Sequence, residues 1–383
     1  MSLRRIIVPI VIVLLVVSSS AATARPSSQS DGAPQSDALV SDVGLTAAGA
    51  IAVDLTTGIE LYAVNSDVSL PPASTAKIVT ALVAIPLLAT DQQVTVQASD
   101  LLDPTVYSTA GLLEGDVVTV HDLLYGVLLP SGGDAALAVA RAAGLVLDPA
   151  SSDPVARFVD EMNAFAVAHG MTQSHFSNPV GMDDPANNYA SARDLVRASE
   201  ALLNDQLLMT IVDSPAYTMR AEGPNARNWD IYNSNQLVAE DDVFGIKTGT
   251  EEVAGQCLIT GFWRGDNRII TVVLGSSDRY ADTMQMMGAI DANYHWAALG
   301  IGTTSAGATD ALAADGMTFQ VRRTILMTRE QFEGITWELE RETDTSTPWV
   351  GFVEFSTGGR VIARLPVYSQ SGAADDLHQQ RAA

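Results

Sequence analysis

The chain has 383 residues, 47% hydrophobic and 17% charged, a balance that excludes general disorder and a length that suggests two domains rather than one compact core. Its 45 acidic against 21 basic side chains give a formal charge of −24, which argues against nucleic acid or anionic lipid, both polyanions, as partners. The five histidines are scattered without metal-ligand spacing, so neither a metal nor a cofactor is expected.

The first 24 residues have the order of an export signal. Arg4 and Arg5 form a basic start, Ile6 to Val17 are apolar apart from Pro9, and Ala22-Thr23-Ala24 offers small residues for cleavage after Ala24. The apolar stretch is short for a membrane span, although an uncleaved anchor that borrows the following serines and alanines is an alternative. Cleavage would leave 19 basic and 45 acidic residues, a net of −26. The expected location is outside the cytoplasm, in the cell envelope or secreted. Residues 25–42, rich in Ser, Pro, Gln and Asp, read as a flexible linker.

Ala50 to Asp54 and Ile59 to Asn65 flank Leu55-Thr56-Thr57-Gly58, a strand–turn–strand pattern. Ile78, Leu82 and Ile85 then recur at helical spacing, with Pro71 and Pro72 blocking an earlier start. Thr119 with Asp122 and Ser191 with Asp194 make capping-box-like pairs that open two further helices. Between them, Val159, Met162, Phe165 and Ala166 mark a helix over Val155 to His169. Strands are expected at Gln256 to Phe262 and Arg268 to Leu274, joined at Gly265-Asp266-Asn267, and then a helix over Asp282 to Leu299. Strands at both ends with helices between predict a single sheet built from distant parts of the sequence and packed against a helical region.

Beyond Gly300 the composition shifts. Residues 301–315 read as a Gly/Ala/Thr-rich linker, and Met317 to Met327, Thr336 to Arg341 and Trp349 to Tyr368 as strands of a small all-β domain over 316–370. Residues 371–383 form a polar tail. The lone Cys257 cannot make an intrachain disulfide, and its strand-like setting favours a core role over a catalytic one.

Lysine usage carries the chemical signal. Nineteen of the 21 basic residues are arginine, and the only lysines are Lys77 and Lys247. Arginine cannot shuttle protons at ordinary pH, whereas a lysine with a depressed pKa can. Lys77 closes Ser74-Thr75-Ala76-Lys77, which at a helix start places serine and amine on one face within reach of each other. The positive end of that helix favours an alkoxide on Ser74 and a neutral amine on Lys77. Lys247 opens Lys247-Thr248-Gly249 at a strand, where a cation and a hydroxyl can hold a carboxylate and Gly249 lets a peptide come close. Ser131 lies between, 57 residues after Ser74 and 116 before Lys247. No Gly-x-Ser-x-Gly elbow is present.

Ser74-x-x-Lys77 followed by Lys247-Thr248-Gly249 resembles the motif set of penicillin-binding proteins and serine β-lactamases. The flanking stretches Met162-Asn163, Gly170-Met171, Phe176 to Met182, Asn233-Ser234-Asn235 and Gly245 to Thr250 resemble the low-molecular-mass D-alanyl-D-alanine carboxypeptidases, peptidase family S11. The similarity spans roughly Ala50 to Leu299, and the tail resembles that family's second domain more loosely. The resemblance implies an α+β fold, with a β-lactamase/transpeptidase-like domain over 43–300 made of an antiparallel sheet and a helical region. It also implies a peptidoglycan stem peptide ending in D-Ala-D-Ala as substrate and β-lactams as covalent inhibitors.

In the mechanism so implied, Lys77 deprotonates Ser74, and the N–H groups of Ser74 and Thr250 form the oxyanion hole. Ser131 relays a proton to the leaving D-alanine, and Lys247, Thr248 and Arg279 hold its carboxylate. One departure stands out. The family's Ser-x-Asn reads Ser131-Gly132-Gly133 here, and the missing amide would cost about ten- to a hundredfold in rate, which Gly133→Asn is expected to restore. Asp134 is expected to cap the following helix. Glu200-Ala201-Leu202-Leu203-Asn204 matches a β-lactamase pattern but reads as a solvated helix face. Two rival functions follow: a serine β-lactamase, and a non-catalytic envelope scaffold, against which the two retained lysines speak.

Overall fold

A computed structural model describes residues 40–303, 307–342 and 348–370. The expected signal and tail, and residues 25–39 of the expected linker, lie outside the described residues.

Strands β1 (Gly49–Asp54) and β2 (Ile59–Val64) form the first hairpin, and β3 (Gln93–Thr95) pairs with β4 (Val117–Thr119) away from it. A second small hairpin joins β5 (Ala216–Ala221) and β6 (Arg227–Tyr232). The long strands β7 (Val243–Glu251), β8 (Gly255–Arg264) and β9 (Asn267–Ser276) then return to the first hairpin. The result is one antiparallel sheet in the order β2-β1-β9-β8-β7, assembled from both ends of this region as expected.

Both faces of the sheet are covered, which is why its central strands are apolar at successive positions. Ile51, Val53, Ile270, Val272 and Leu274 face the helical region, and Ala50, Ala52, Leu61 and Val273 face the opposite way. The helical region comprises α1 (Lys77–Ala84), α2 (Val120–Leu128), α3 (Gly133–Leu147), α4 (Pro154–Ala168), α5 (Ala192–Leu203) and α6 (Gln206–Asp213). Every residue of α1 is buried, so this helix is packed on all sides. Thr119 and Ser191 accept hydrogen bonds from the N–H groups of Asp122 and Asp194, the caps predicted for α2 and α5. Helix α7 (Arg279–Asn293) covers the other face through Met286, Met287 and Ile290.

The structure corrects the sequence reading at this helix. It ends at Asn293, and Tyr294–Gly300 forms strand β10, with Tyr294, Ala297 and Leu299 buried. The partner of β10 is β12 (Arg322–Thr328), more than twenty residues later, a pairing that local periodicity cannot reveal. The stretch read as a linker carries α8 (Ala308–Ala314), whose Ala308 and Leu312 enter a second core. Met317 to Met327 divides into β11 (Met317–Phe319) and β12, because β12 turns away to join β10. After the short α9 (Arg329–Glu333), strands β13 (Thr336–Arg341), β14 (Trp349–Thr357) and β15 (Arg360–Ser369) complete the sheet β11-β15-β14-β13. This C-terminal β region meets the large sheet where Trp296 Nε1 donates to the buried Asp54 carboxylate at 2.7 Å.

Candidate active site

A cleft of about 770 Å³ opens where α1, the start of α3 and the outer edge of β7 meet. Ser74, Lys77, Ser131, Thr248, Gly249, Thr250 and Arg279 all line it. Seven of the eight site residues read from the sequence thus converge on one cavity, although they come from four separate parts of the chain.

Ser74 sits in a 3-10 turn, Ala73–Ala76, that runs directly into α1. The turn keeps Ser74 and Lys77 on one face, and Lys77 Nζ lies 2.8 Å from Ser74 Oγ. The amine also donates to the Val180 carbonyl oxygen at 2.6 Å. That carbonyl is fixed by Asn178, whose side-chain oxygen accepts from the N–H groups of Val180, Gly181 and Met182 at 3.2, 2.8 and 3.0 Å. Complete burial brings the Lys77 pKa down to about 7, with the negative charges of Glu251 and Asp134 opposing the shift. An amine in that range is neutral often enough at ordinary pH to act as a base.

The third motif behaves differently from its sequence reading. Lys247 is 1% exposed, lies behind the cleft wall and donates to its neighbour's carbonyl, Thr248 O, at 2.9 Å. Burial and the charges of Lys77 and Arg279 push its pKa well below the ordinary lysine value. It supports the cleft from within strand β7, whereas Thr248 lines the cleft directly. Gly249 also has a reason other than peptide approach: a Cβ there would stand 2.9 Å from both Ser74 N and Ala73 Cβ. Its bare Cα lets β7 lie against the Ser74 turn. Arg279, at the start of α7, donates to Gly249 O at 2.7 Å and to Thr250 Oγ1 at 2.7 Å, so it reaches the cleft by bracing the same strand.

Ser131 is 5% exposed and holds a left-handed backbone, φ 64°, which a non-glycine residue adopts at a cost of about 1–3 kcal/mol. The residue lines the cleft, and its buried Oγ has no hydrogen-bond partner among the described residues. The expected relay from Lys77 is therefore not joined by a direct bond in this state. Asp134 is not the cap expected from the sequence: the N-cap of α3 is Gly132, without a side-chain cap bond, and Asp134 lies in the first turn. Its buried carboxylate accepts from Ala110 N at 2.7 Å, Leu112 N at 3.1 Å and Ala135 N at 2.9 Å, tying the preceding loop to α3.

Several cleft residues carried no role in the sequence reading. Ser234 Oγ is 2.6 Å from Thr248 Oγ1, and Asp183, Glu251 and Glu252 add a carboxylate wall. Burial and the nearby Asp183 raise the Glu251 pKa, while Lys77 opposes the rise. The sequence offered a signal for Asn178 and Ser234, since both fall in stretches that carried the family resemblance. Glu251 and Glu252 lie outside every stretch the sequence reading singled out and offered none. The two side chains set aside behave as expected. Glu200 is exposed near the end of α5, away from the cleft, and Cys257 is buried in β8, where burial lifts its thiol to about 11.

Residues 36–278 match the D-alanyl-D-alanine carboxypeptidase family, S11. Among curated proteins, a D-alanyl-D-alanine carboxypeptidase of Streptomyces sp. strain K15 is 34% identical over 254 residues, covering 63% of this chain and 86% of that protein. DacF of Bacillus subtilis is 28% identical over 67% of this chain, and DacC of Escherichia coli is 31% identical over 59%. The alignments span 64% and 56% of those two longer relatives. The crystal structure of the Streptomyces K15 DD-transpeptidase superposes with a TM-score of 0.60 at 32% identity, covering 65% of this chain and 98% of that one. DacD of Francisella tularensis, 20% identical, has a TM-score of 0.60 and covers 86% of this chain, so the likeness of fold extends into the C-terminal β region.

Proposed function

The chain belongs to the D-alanyl-D-alanine carboxypeptidase family of serine peptidases, and from that premise we propose that it removes the terminal D-alanine from peptidoglycan stem peptides through an acyl-enzyme on Ser74. The observation that carries this reading is the 2.8 Å contact between Ser74 Oγ and a buried Lys77 whose pKa has fallen to about 7.

Neutral Lys77 takes the Ser74 proton as Oγ attacks the carbonyl carbon between the two D-alanines. The N–H groups of Ser74 and Thr250 receive the developing oxyanion. The C–N bond then breaks, and the proton held by Lys77 passes through the Ser131 hydroxyl to the departing amine. Substrate binding is the event that brings Ser131 into that relay, since the residue lines the cleft and its Oγ has hydrogen-bonding capacity unused by described residues. Thr248, Ser234 and Arg279 receive the terminal carboxylate, and Lys247, buried in the same strand, donates to Thr248 O and supports the wall. Water attacks the ester carbonyl and returns Ser74 to its starting state. The signal-like first 24 residues support a site of action outside the cytoplasm. Among the described residues no helix is long and apolar enough to cross a membrane.

The test is release of D-alanine from a peptide ending in D-Ala-D-Ala, compared with the same peptide whose terminal carboxylate is amidated. Release from the free acid, lost on amidation and in Ser74→Ala, is the expected result. Absence of release with folded protein, together with no reaction towards penicillin, would favour the scaffold function instead.

A further inference from the structure

Gly133 has no side chain, yet the space beside it is occupied. A Cβ at this position would stand 2.4 Å from Leu102 Cδ1 and 3.1 Å from Val180 Cγ1, both inside ordinary contact distance. The same loop is joined to the start of α3 by three polar contacts. Gly133 N donates to Ser108 O at 2.9 Å, and Ala110 N and Leu112 N donate to Asp134. Between Leu102 and the two Asp134 contacts lie Val106, Tyr107 and Ser108, which line the cleft together with Ser131.

We propose that Leu102 is a positioning residue of this site: seated on the bare Cα of Gly133, it docks the 101–112 loop so that Val106, Tyr107 and Ser108 form the cleft wall. The wall supplied by this loop takes the place of a side chain from position 133. Gly133 is then one half of a matched pair, and its effect on activity depends on what stands at position 102. The polar anchors fix the far end of the loop near Asp134, while the Leu102 contact fixes the near end. Loss of either contact frees the residues between them. Because the contact is apolar and Leu102 is half-buried, its methyl group can be displaced by an introduced side chain, at the expense of the wall.

The inference rests on the reading of Ser74 as the acylated residue, so labelling of the wild-type protein at Ser74 by a fluorescent penicillin is scored first. Single-turnover acylation is then resolved into a binding constant and a limiting rate for wild type, Leu102→Ala, Leu102→Met, Gly133→Asn and the Leu102→Ala/Gly133→Asn double variant. Thermal unfolding checks each protein, and Gly133→Ala replaces Gly133→Asn if the latter does not fold. Leu102→Ala is expected to weaken binding about three- to tenfold while the limiting rate and its pH dependence stay unchanged. Leu102→Met, similar in volume, should return binding to within about twofold of wild type. The change caused by Gly133→Asn should differ by about tenfold between the wild-type and Leu102→Ala backgrounds. Binding in Leu102→Ala equal to wild type, methionine no better than alanine, or the same Gly133→Asn effect in both backgrounds overturns the assignment. No label on wild-type Ser74 removes both this inference and the proposed function; a label with independent effects removes this inference alone.

Discussion

The Lys77 amine donates to the carbonyl oxygen of Val180 at 2.6 Å, across 103 residues of sequence. With Ser74 Oγ on its other side at 2.8 Å, the buried amine is held between a serine hydroxyl and a fixed acceptor. A neutral amine has two hydrogens and one lone pair. Val180 can accept one hydrogen while the lone pair faces the Ser74 hydroxyl, which is the arrangement a general base requires.

Lys77→Arg keeps charge and approximate size but places a guanidinium where the amine stood. It cannot give up its proton near neutral pH. Acylation by penicillin should fall by about 10²–10⁴-fold with the fold retained. Stopped-flow or gel-based labelling beside a circular dichroism spectrum checks this, and comparable rates for the two proteins would show that Lys77 is structural.

The pH profile follows from the direction of the Lys77 shift. Its pKa is depressed to about 7, so the base form predominates above that pH and is lost as the pH falls through it. The acylation rate should rise with pH along an acidic limb near 7. The negative charge of Glu251 favours the ammonium form, and removing it in Glu251→Gln should move the limb to lower pH. A limb that stays in place or moves upward contradicts this coupling.

Asn178→Ala leaves three N–H groups without their shared acceptor and frees the carbonyl that orients Lys77. The unfolding free energy should fall by about 1–3 kcal/mol and the acylation rate by about tenfold. Denaturant melts and labelling rates measured on the same preparation separate the two effects.

The motif residues were legible because their spacing is local. Ser-x-x-Lys at a helix start and Lys-Thr-Gly on a strand fix their own geometry within one turn or one pleat. Partners distant in sequence were not legible. Val180 reaches Lys77, Leu102 fills the space beside Gly133, and Asp134 binds Ala110 only after the chain has folded. The same limit explains the misreading of Tyr294–Gly300, whose strand character comes from pairing with Arg322–Thr328. It also changes what Gly133 means. Sequence comparison presents an absent amide, whereas the structure presents a space already taken by Leu102, so the expected gain from Gly133→Asn holds only if Leu102 can yield.

The most direct test of Ser74 as nucleophile is a mass spectrum of the intact protein mixed with a penicillin, followed by peptide mapping. The account predicts a single stable adduct on the peptide containing Ser74, absent in Ser74→Ala. An adduct on another serine, or none on folded protein, would contradict it, and rapid turnover of the drug without accumulation of an adduct would identify a β-lactamase instead.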